Sequence, residues 1–153
     1  MKIISHRGNL TNPDPDLENR PDRIEEVISK GFDCEIDVRM EKGSFLLGHD
    51  FGQYKVEYEW LKNLSDYLWI HCKDHTSIAK FTSEKNELNY FWHENDDFTL
   101  TSKNYIWTAK QIKFKNLSRT VLVDVNRKNL KSINQYFGVC TDYPVEENVR
   151  NSL

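Results

Sequence analysis

Short apolar segments recur along the chain, and each is rich in β-branched, aromatic or leucine residues. Segments of this length and composition are typical of buried β-strands. Eight of them stand out, at residues 2–5, 33–40, 44–49, 67–73, 89–93, 104–109, 120–125 and 137–142. The pattern therefore predicts eight strands distributed over the whole chain.

Four of the intervening segments show the apolar spacing of amphipathic helices. The clearest covers residues 18–31, where Asn19 is a candidate N-cap, Pro21 falls in the first turn and Gly31 follows the last apolar position. The other three are residues 57–64, 76–88 and 129–138. The remaining connections are too short to hold a helix.

Strands that alternate with helices predict an α/β fold, and eight of them predict a (β/α)8 TIM-like barrel. Such barrels usually have about 250 residues, whereas this chain has 153. We therefore expect a compact (β/α)8 barrel with several helices short or missing, formed by residues 1–153 as a single domain. Missing helices would leave apolar strand surface uncovered, which favours a homo-oligomer.

Charge and cysteine usage limit the classes of function. The formal net charge is −3 and the isoelectric point is near 6.0, so no overall positive field favours nucleic-acid binding. No apolar run is long enough to span a membrane, and the residues ahead of His6 leave no room for a signal peptide. Cys34, Cys72 and Cys140 lie in strand segments, which suits buried free thiols in a reducing compartment. These features predict a cytoplasmic protein.

The second predicted strand carries two acidic residues on one face. Glu35 and Asp37 are two positions apart, so they point to the same side, while residues 34, 36 and 38 point to the apolar side. Two carboxylates close together inside a barrel need a compensating cation. Carboxylate oxygens favour Mg²⁺ or Ca²⁺. The alternative is that both are exposed strand carboxylates or salt-bridge partners.

Further polar residues follow the other predicted strands at the point where each strand ends. In a barrel of parallel strands these positions meet at the C-terminal rim, where such folds carry their active sites. Four of the five histidines belong to this set, which favours a functional role. The set comprises His6 and Arg7, His49 and Asp50, His71 and Lys73, His93 and Glu94, and Asp142.

Several short motifs, taken in order, resemble one known family. They are "SHRGN" at residues 5–9, "LEN" at 17–19, "CEIDVRM" at 34–40 and "LLGHD" at 46–50. Together with "YIWTAK" and the closing "GVCTDYP", they resemble the glycerophosphodiester phosphodiesterase family, within the superfamily of phosphatidylinositol-specific phospholipase C-like barrels. The resemblance is dense over residues 3–50 and looser beyond them. It implies a barrel that cleaves phosphodiesters with a divalent cation.

By this resemblance, His6 and His49 are the catalytic acid–base pair that flanks the phosphodiester, a role that suits histidine near neutral pH. Glu35 and Asp37 hold the cation, which neutralises a phosphate oxygen and the charge that grows in the transition state.

The resemblance also assigns residues around this centre. Arg7 and Lys73 bind the phosphate, Arg7 as a fork of donors and Lys73 as a point charge. Glu18 either orients Arg7 or joins the shell of the cation. Three further residues at or near the rim are candidate substrate contacts, namely His93, Trp107 and Asp142.

One position departs from the family pattern. The family has a glutamate ligand two residues before the lysine of the fourth strand, and this chain has His71 there, in "HCK". A neutral nitrogen replaces an anionic oxygen, so His71 would be the further metal ligand. The cation would bind more weakly, or the site would favour metals that accept imidazole, such as Mn²⁺ or Zn²⁺.

The predicted function is that of a metal-dependent phosphoric diester hydrolase acting on a glycerophosphodiester-like, sugar or lipid head-group substrate. Cleavage by water and internal attack that gives a cyclic phosphate would use the same residues. The alternative is a non-catalytic barrel that binds a phosphorylated ligand and has lost metal-dependent turnover through His71.

Three other patterns have competing interpretations. His71 and His75 have a zinc-compatible spacing if their segment is helical, although the apolar residues before them favour a strand. Residues 110–131 carry seven basic residues against one acid, which suits either an anion-binding patch or a solvated face. Three aromatic residues near the rim would either stack on the substrate or fill the core, namely Trp92, Trp107 and Tyr143.

Overall fold

The computed structural model of the protein describes residues 1–111, 117–127 and 133–151. Within these residues the chain forms ten strands, which are β1 Lys2–His6, β2 Asp33–Glu41, β3 Ser44–Leu47, β4 Tyr54–Val56, β5 Leu68–Cys72, β6 Tyr90–Phe91, β7 Phe98–Leu100, β8 Ile106–Thr108, β9 Leu117–Val123 and β10 Tyr136–Thr141. Four short α-helices accompany them, which are α1 Pro21–Ser29, α2 Tyr58–Asn63, α3 His75–Ser83 and α4 Pro144–Asn151. A 3-10 turn covers Ile133–Gln135.

All ten strands belong to one curled mixed sheet with the form of a half-barrel. The main path runs β4-β3-β2-β1-β10-β9-β8-β7, while β5 pairs with β2 and β6 pairs with β5. The ladders between β6, β5, β2, β1, β10, β9 and β8 are parallel. The ladders that add β3, β4 and β7 are antiparallel.

The predicted (β/α)8 TIM-like barrel is therefore wrong. Only Lys42 and Gly43 separate β2 from β3. Two residues suffice for an antiparallel hairpin, whereas a parallel crossover needs a dozen or more. Helices of six to nine residues are too few and too short to alternate with every strand.

The predicted elements agree with the observed ones better than the predicted topology does. Each of the eight predicted strands overlaps an observed one, while the sequence pattern does not predict β4 and β7. Helices α1, α2 and α3 occupy three predicted segments. The fourth predicted helix, at 129–138, is wrong where the chain is described, because a 3-10 turn and then β10 occupy it; residues 129–132 lie outside the described part.

The two faces of the sheet bury different groups. The outer face packs under the helices with residues such as Ile36, Val38 and Ile70, joined by Ile24 and Val27 of α1. The inner face carries a separate, largely aromatic cluster, and the polar residues of the next section lie above it. That cluster consists of Ile4, Trp69, Phe91, Trp107, Val121 and Cys140.

Candidate functional site

An open cleft of about 610 Å³ lies at the C-terminal ends of the central parallel strands. It brings together most of the polar residues that the sequence singled out at strand ends. Further lining comes from residues 92–97, which include the half-exposed Trp92. The predicted site residues that line the cleft are His6, Arg7, Glu35, His49, His71, Lys73, His93 and Trp107.

Strand register explains most of this convergence. In the parallel ladder of β1 and β2, His6 lies opposite Glu35, and in that of β2 and β5, Asp37 lies opposite His71. Neighbouring parallel strands end on the same side of a sheet, so their last side chains meet. The sequence prediction of a shared rim is thus correct for these strands, although the fold is not the one that prompted it.

His49 reaches the cleft by a different route. Strand β2 continues beyond the rim, and β3 returns antiparallel to β2 until Leu47 lies opposite Val38. The Gly48 amide then donates to the Asp37 carbonyl, at 3.1 Å. Gly48 has φ +147°, and a Cβ there would lie 2.1 Å from the Phe51 carbonyl oxygen, so only glycine fits. The antiparallel return therefore brings His49 to the cleft that Glu35 also lines.

Glu35, Asp37 and His71 form a cluster at the base of the cleft, which Glu35 and His71 line and behind which Asp37 is buried. Glu35 is 3% exposed and Asp37 fully buried. His71 Nδ1 lies 3.3 Å from Asp37 Oδ1 and 3.8 Å from Glu35 Oε1. Asp37 Oδ1 and Glu35 Oε2 are both buried without a hydrogen-bond partner. These three residues offer ligand atoms that all lie within 4.8 Å of one another.

The orientation of His71 leaves a lone pair at this cluster. Its Nε2 lies 3.2 Å from the carbonyl oxygen of His93, which can only accept a hydrogen bond. In neutral His71 the hydrogen therefore sits on Nε2, and Nδ1 turns its lone pair toward the two carboxylates. The ring is stacked against Phe91 and His93, with centroids 5.1 and 4.9 Å away. In this neutral form three acceptors face one another, and either a proton on His71 Nδ1 or a metal cation between them satisfies all three.

The charges around the cleft support the same conclusion. Glu18, Glu35, Asp37 and Asp142 supply four carboxylates, and the permanent cations beside them are Arg7 and Lys73. The residues present therefore fit a divalent cation held by Glu35, Asp37 and His71.

The pKa values of Glu35 and Asp37 shift in opposite directions. Burial and the neighbouring Asp37 charge raise the pKa of Glu35. Burial also acts to raise the pKa of Asp37, but His71, Arg7 and Asn19 outweigh it and hold that pKa well below its usual range. Asp37 is thus the carboxylate that stays ionised, while Glu35 is stabilised as an anion only by a nearby positive charge.

Arg7 is fixed in an unusual conformation between two carboxylates. Its φ is +55°, a left-handed value that costs a residue other than glycine about 1–2 kcal/mol. Its Nε lies 3.0 Å from Asp37 Oδ2, and its Nη1 donates to Glu18 Oε2 at 3.2 Å. Burial acts to lower the pKa of Arg7, but the charges of Asp37, Glu35 and Glu18 outweigh burial, so the net shift in the pKa is upward. Glu18 therefore orients Arg7. Because the other oxygen of Glu18 accepts a hydrogen bond from Asn9, Glu18 does not belong to the cluster of ligand atoms.

Each of the two histidines proposed for acid–base chemistry has a carboxylate partner. His6 Nδ1 lies 2.7 Å from Asp142 Oδ1, and His49 Nδ1 lies 2.7 Å from Asp50 Oδ1. Both rings therefore keep Nε2 available to a ligand in the cleft. Burial lowers the pKa of His6, but the hydrogen bond to Asp142 and the charge of Glu35 outweigh it, so the net shift is upward. Asp142, expected as a substrate contact, instead lies behind His6.

The other candidate contacts differ in how far they are buried. Trp107 is 4% exposed and packs on Phe91 with ring centroids 4.8 Å apart, so its main role is in the inner core and only part of it borders the cleft. His93 lines the wall, and burial together with His71 and Lys73 lowers its pKa. Tyr143 does not line the cleft; the Arg127 guanidinium lies 5.2 Å from its ring.

Two asparagines in the site were not assigned a site role from the sequence. Asn19 was predicted as a helix cap, but Arg20 occupies that position. The Asn19 side chain instead donates to Asp37 Oδ2 at 3.0 Å and accepts from the Asp37 amide at 2.9 Å. Asn9 donates to both Glu18 and Asp142. Asn9 and Asn19 are the last residues of the motifs "SHRGN" and "LEN", which is the signal that identifies them.

The competing zinc interpretation is not supported by the local structure. His71 lies in β5, and His75 is the exposed first residue of α3, so the two do not share a helix.

The basic segment is largely used within the chain where it is described. Lys110 pairs with Asp97, Arg119 donates to the carbonyls of Lys103 and Asn104, and Arg127 pairs with Glu146. The remaining basic residues of that segment lie outside the described part, namely Lys113, Lys115, Lys128 and Lys131.

The cysteines agree with the prediction of buried free thiols. Cys34, Cys72 and Cys140 are all buried and unpaired. Burial raises the pKa of the Cys72 thiol, which borders the cleft, to about 12, so it is not a nucleophile near neutral pH.

Comparisons with known proteins leave the family open. No family model, no curated protein and no solved structure matches the chain. Among the helices in the described part of the chain, none has the length and apolar character needed to cross a membrane.

Proposed function

We propose that the protein is a metal-dependent phosphodiesterase that resembles the glycerophosphodiester phosphodiesterases in its catalytic residues. One observation carries the proposal. A single cleft is lined by two basic side chains and two carboxylate-partnered histidines, and Glu35 and His71, which also line it, form a cluster with the buried Asp37. This set provides what cleavage of a phosphodiester requires, namely neutralisation of the phosphate, a base and an acid.

Glu35, Asp37 and His71 would hold the divalent cation. When bound, such an ion acts as a Lewis acid that neutralises a non-bridging phosphate oxygen. Arg7 and Lys73 add fixed positive charge to the same wall of the cleft. The hold of Asp37 and Glu18 on Arg7 keeps the guanidinium in place before the substrate arrives, so little ordering remains for the binding step.

His6 and His49 would divide the proton transfers. The upward shift in the pKa of His6 favours its protonated form, which suits the general acid that protonates the leaving oxygen. His49 is more exposed and lies against the exposed Asp50, which suits the base that activates the attacking oxygen. In each ring the Nδ1 contact to a carboxylate directs Nε2 toward the substrate and stabilises the imidazolium.

The experiment is to follow glycerol-, inositol- and sugar-containing phosphodiesters by ³¹P NMR with metal-loaded protein. We expect the diester resonance to convert to a phosphomonoester or a cyclic phosphate. His6→Ala and His49→Ala should each abolish conversion. His75→Ala, which removes an exposed histidine outside the cleft, should convert normally.

Loss of conversion in both cleft variants, together with normal circular dichroism, would support the acid–base pair. If either variant kept a rate near that of the wild type, that histidine would be removed from the mechanism. If no diester were converted under any metal, the phosphodiesterase proposal would fail, and tight binding of the intact diesters would favour the binding-only alternative.

A further inference from the structure

We propose that the cation site is built for a borderline transition metal, Zn²⁺ ahead of Mn²⁺, and disfavours Mg²⁺ and Ca²⁺, with His71 Nδ1 as the selecting ligand. The inference rests on the proposed function only in that both place a cation between Glu35 and Asp37. It concerns which metal the protein takes, and binding of the metal alone can test it.

The first argument is the chemistry of the ligand atoms. Mg²⁺ and Ca²⁺ are hard ions that prefer oxygen, whereas imidazole nitrogen suits zinc and its neighbours in the first transition row. For a site of mixed nitrogen and oxygen, affinity rises from Mn²⁺ to Zn²⁺. A single nitrogen ligand is therefore enough to shift the order of affinities.

The second argument is that His71 is held as a ligand. The contact between its Nε2 and the His93 carbonyl fixes the tautomer of the neutral ring, with the hydrogen on Nε2 and the lone pair on Nδ1, the arrangement that metal-binding histidines usually adopt. The rings of Phe91 and His93 are each within about 10° of parallel with it and pack along one side of it. The hydrogen bond and this packing together support the orientation in which Nδ1 faces the two carboxylates.

The third argument is the scarcity of further oxygen ligands. Ca²⁺ takes about six to eight oxygens, and the nearby carboxylates of Glu18 and Asp142 are already engaged. Glu18 accepts from Arg7 and Asn9, while Asp142 accepts from Asn9 and faces His6. Among the described residues, only Glu35, Asp37 and His71 bring free ligand atoms together. Three protein ligands with an open position match the usual catalytic zinc site.

The test is calorimetric titration of chelator-stripped protein with Zn²⁺, Mn²⁺, Mg²⁺ or Ca²⁺ alone. We expect one tight Zn²⁺ site per chain, weaker Mn²⁺ binding and the weakest binding for Mg²⁺ and Ca²⁺. His71→Glu, which replaces the nitrogen ligand with oxygen, should lower the preference for Zn²⁺ over Mg²⁺ by about 10- to 100-fold. His75→Glu makes the same change at an exposed position and should leave the preference unchanged.

A second measurement needs no variant. Long-range ¹H–¹⁵N correlation spectra of the wild type should show His71 protonated at Nε2, with the Nδ1 resonance moving when Zn²⁺ is added. Binding of Mg²⁺ or Ca²⁺ as tight as that of Zn²⁺ would overturn the inference, as would an unchanged preference in a folded His71→Glu or an Nδ1 resonance that ignores Zn²⁺.

The two proposals fail separately. Selective Zn²⁺ binding without cleavage of any diester would remove the phosphodiesterase and keep the metal preference. Cleavage of diesters by a protein that binds Mg²⁺ and Zn²⁺ equally would keep the phosphodiesterase proposal and remove the metal preference.

Discussion

His6 and Asp142 lie 136 positions apart in sequence, yet His6 Nδ1 and Asp142 Oδ1 are 2.7 Å apart because β1 and β10 are parallel neighbours. Asp142 is 5% exposed and also accepts from Asn9, so its orientation is fixed from behind. The second histidine has only an exposed partner, since the side chain of Asp50 is 83% exposed. The two carboxylates should therefore differ in importance.

Asp142→Asn should lower kcat by about 10- to 100-fold, because the amide orients the His6 ring poorly and does not stabilise the imidazolium. Asp50→Asn makes the matched change beside His49 and should cost less than about fivefold, since exposed pairs contribute about 0–1 kcal/mol. Steady-state rates with metal-loaded protein measure both. Equal effects of the two substitutions would contradict the distinction between a buried and an exposed partner.

The His6 interaction should also make stability depend on pH. Because the pKa of His6 is raised in the folded protein, the protonated form is stabilised by folding. That contribution is fully present below the unfolded pKa of about 6.5 and is lost as the pH rises through the higher folded pKa. NMR titration of chelator-stripped protein should place the His6 midpoint above that of a histidine in the unfolded chain, and Asp142→Asn should lower it. A midpoint insensitive to Asp142→Asn would contradict this.

Asn19 should be important for stability. Asn19→Gly keeps its left-handed backbone, with φ +60°, but removes both side-chain hydrogen bonds to the buried Asp37. The hydrogen bond to the carboxylate contributes about 1.5–3 kcal/mol and the one from the backbone amide about 0.5–1.5 kcal/mol, so we expect a loss of about 2–4.5 kcal/mol in the free energy of unfolding. Asn104→Gly, at an exposed asparagine with φ +61°, is the control and should change stability by less than about 1 kcal/mol. Urea denaturation measures both, and equal losses would mean that only the backbone conformation matters.

Metal removal should destabilise the protein. A ligand present at about 100 times its Kd stabilises the folded state by about 2.7 kcal/mol, which corresponds to several degrees in Tm for a chain of this size. Adding Zn²⁺ to stripped protein should therefore raise Tm, and Glu35→Gln/Asp37→Asn should abolish the rise. The matched double variant Glu57→Gln/Glu59→Gln neutralises two exposed carboxylates with the same spacing, and its Tm should still rise when Zn²⁺ is added. A rise that survives in the first pair would place the metal elsewhere.

Local patterns in the sequence predicted much of the site. The alternation of Glu35 and Asp37 with apolar residues correctly predicted that both point to one side, and Cys34, Ile36 and Val38 pack on the other. Parallel register then explains why His6 and His71 lie beside that pair. These predictions depend only on strand periodicity and on where strands end, so they hold even though the predicted barrel is wrong.

The topology could not be predicted from the same patterns, because apolar periodicity does not distinguish a parallel strand from an antiparallel one. The short Lys42-Gly43 turn between β2 and β3 was the informative feature, since it leaves no room for a crossover. The roles of Asn9, Asn19 and Asp142 depend on contacts between residues distant in sequence, which the pattern along one strand does not contain.

The measurement that tests the central claim most directly is hydrolysis of bis(p-nitrophenyl) phosphate by chelator-stripped protein, with Zn²⁺, Mn²⁺, Mg²⁺ or Ca²⁺ restored singly. We predict that metal restores release of p-nitrophenolate in the wild type and in Glu57→Gln/Glu59→Gln, and that Glu35→Gln/Asp37→Asn releases none. No release with any metal, or equal release from Glu35→Gln/Asp37→Asn, would contradict a phosphodiesterase centred on Glu35 and Asp37.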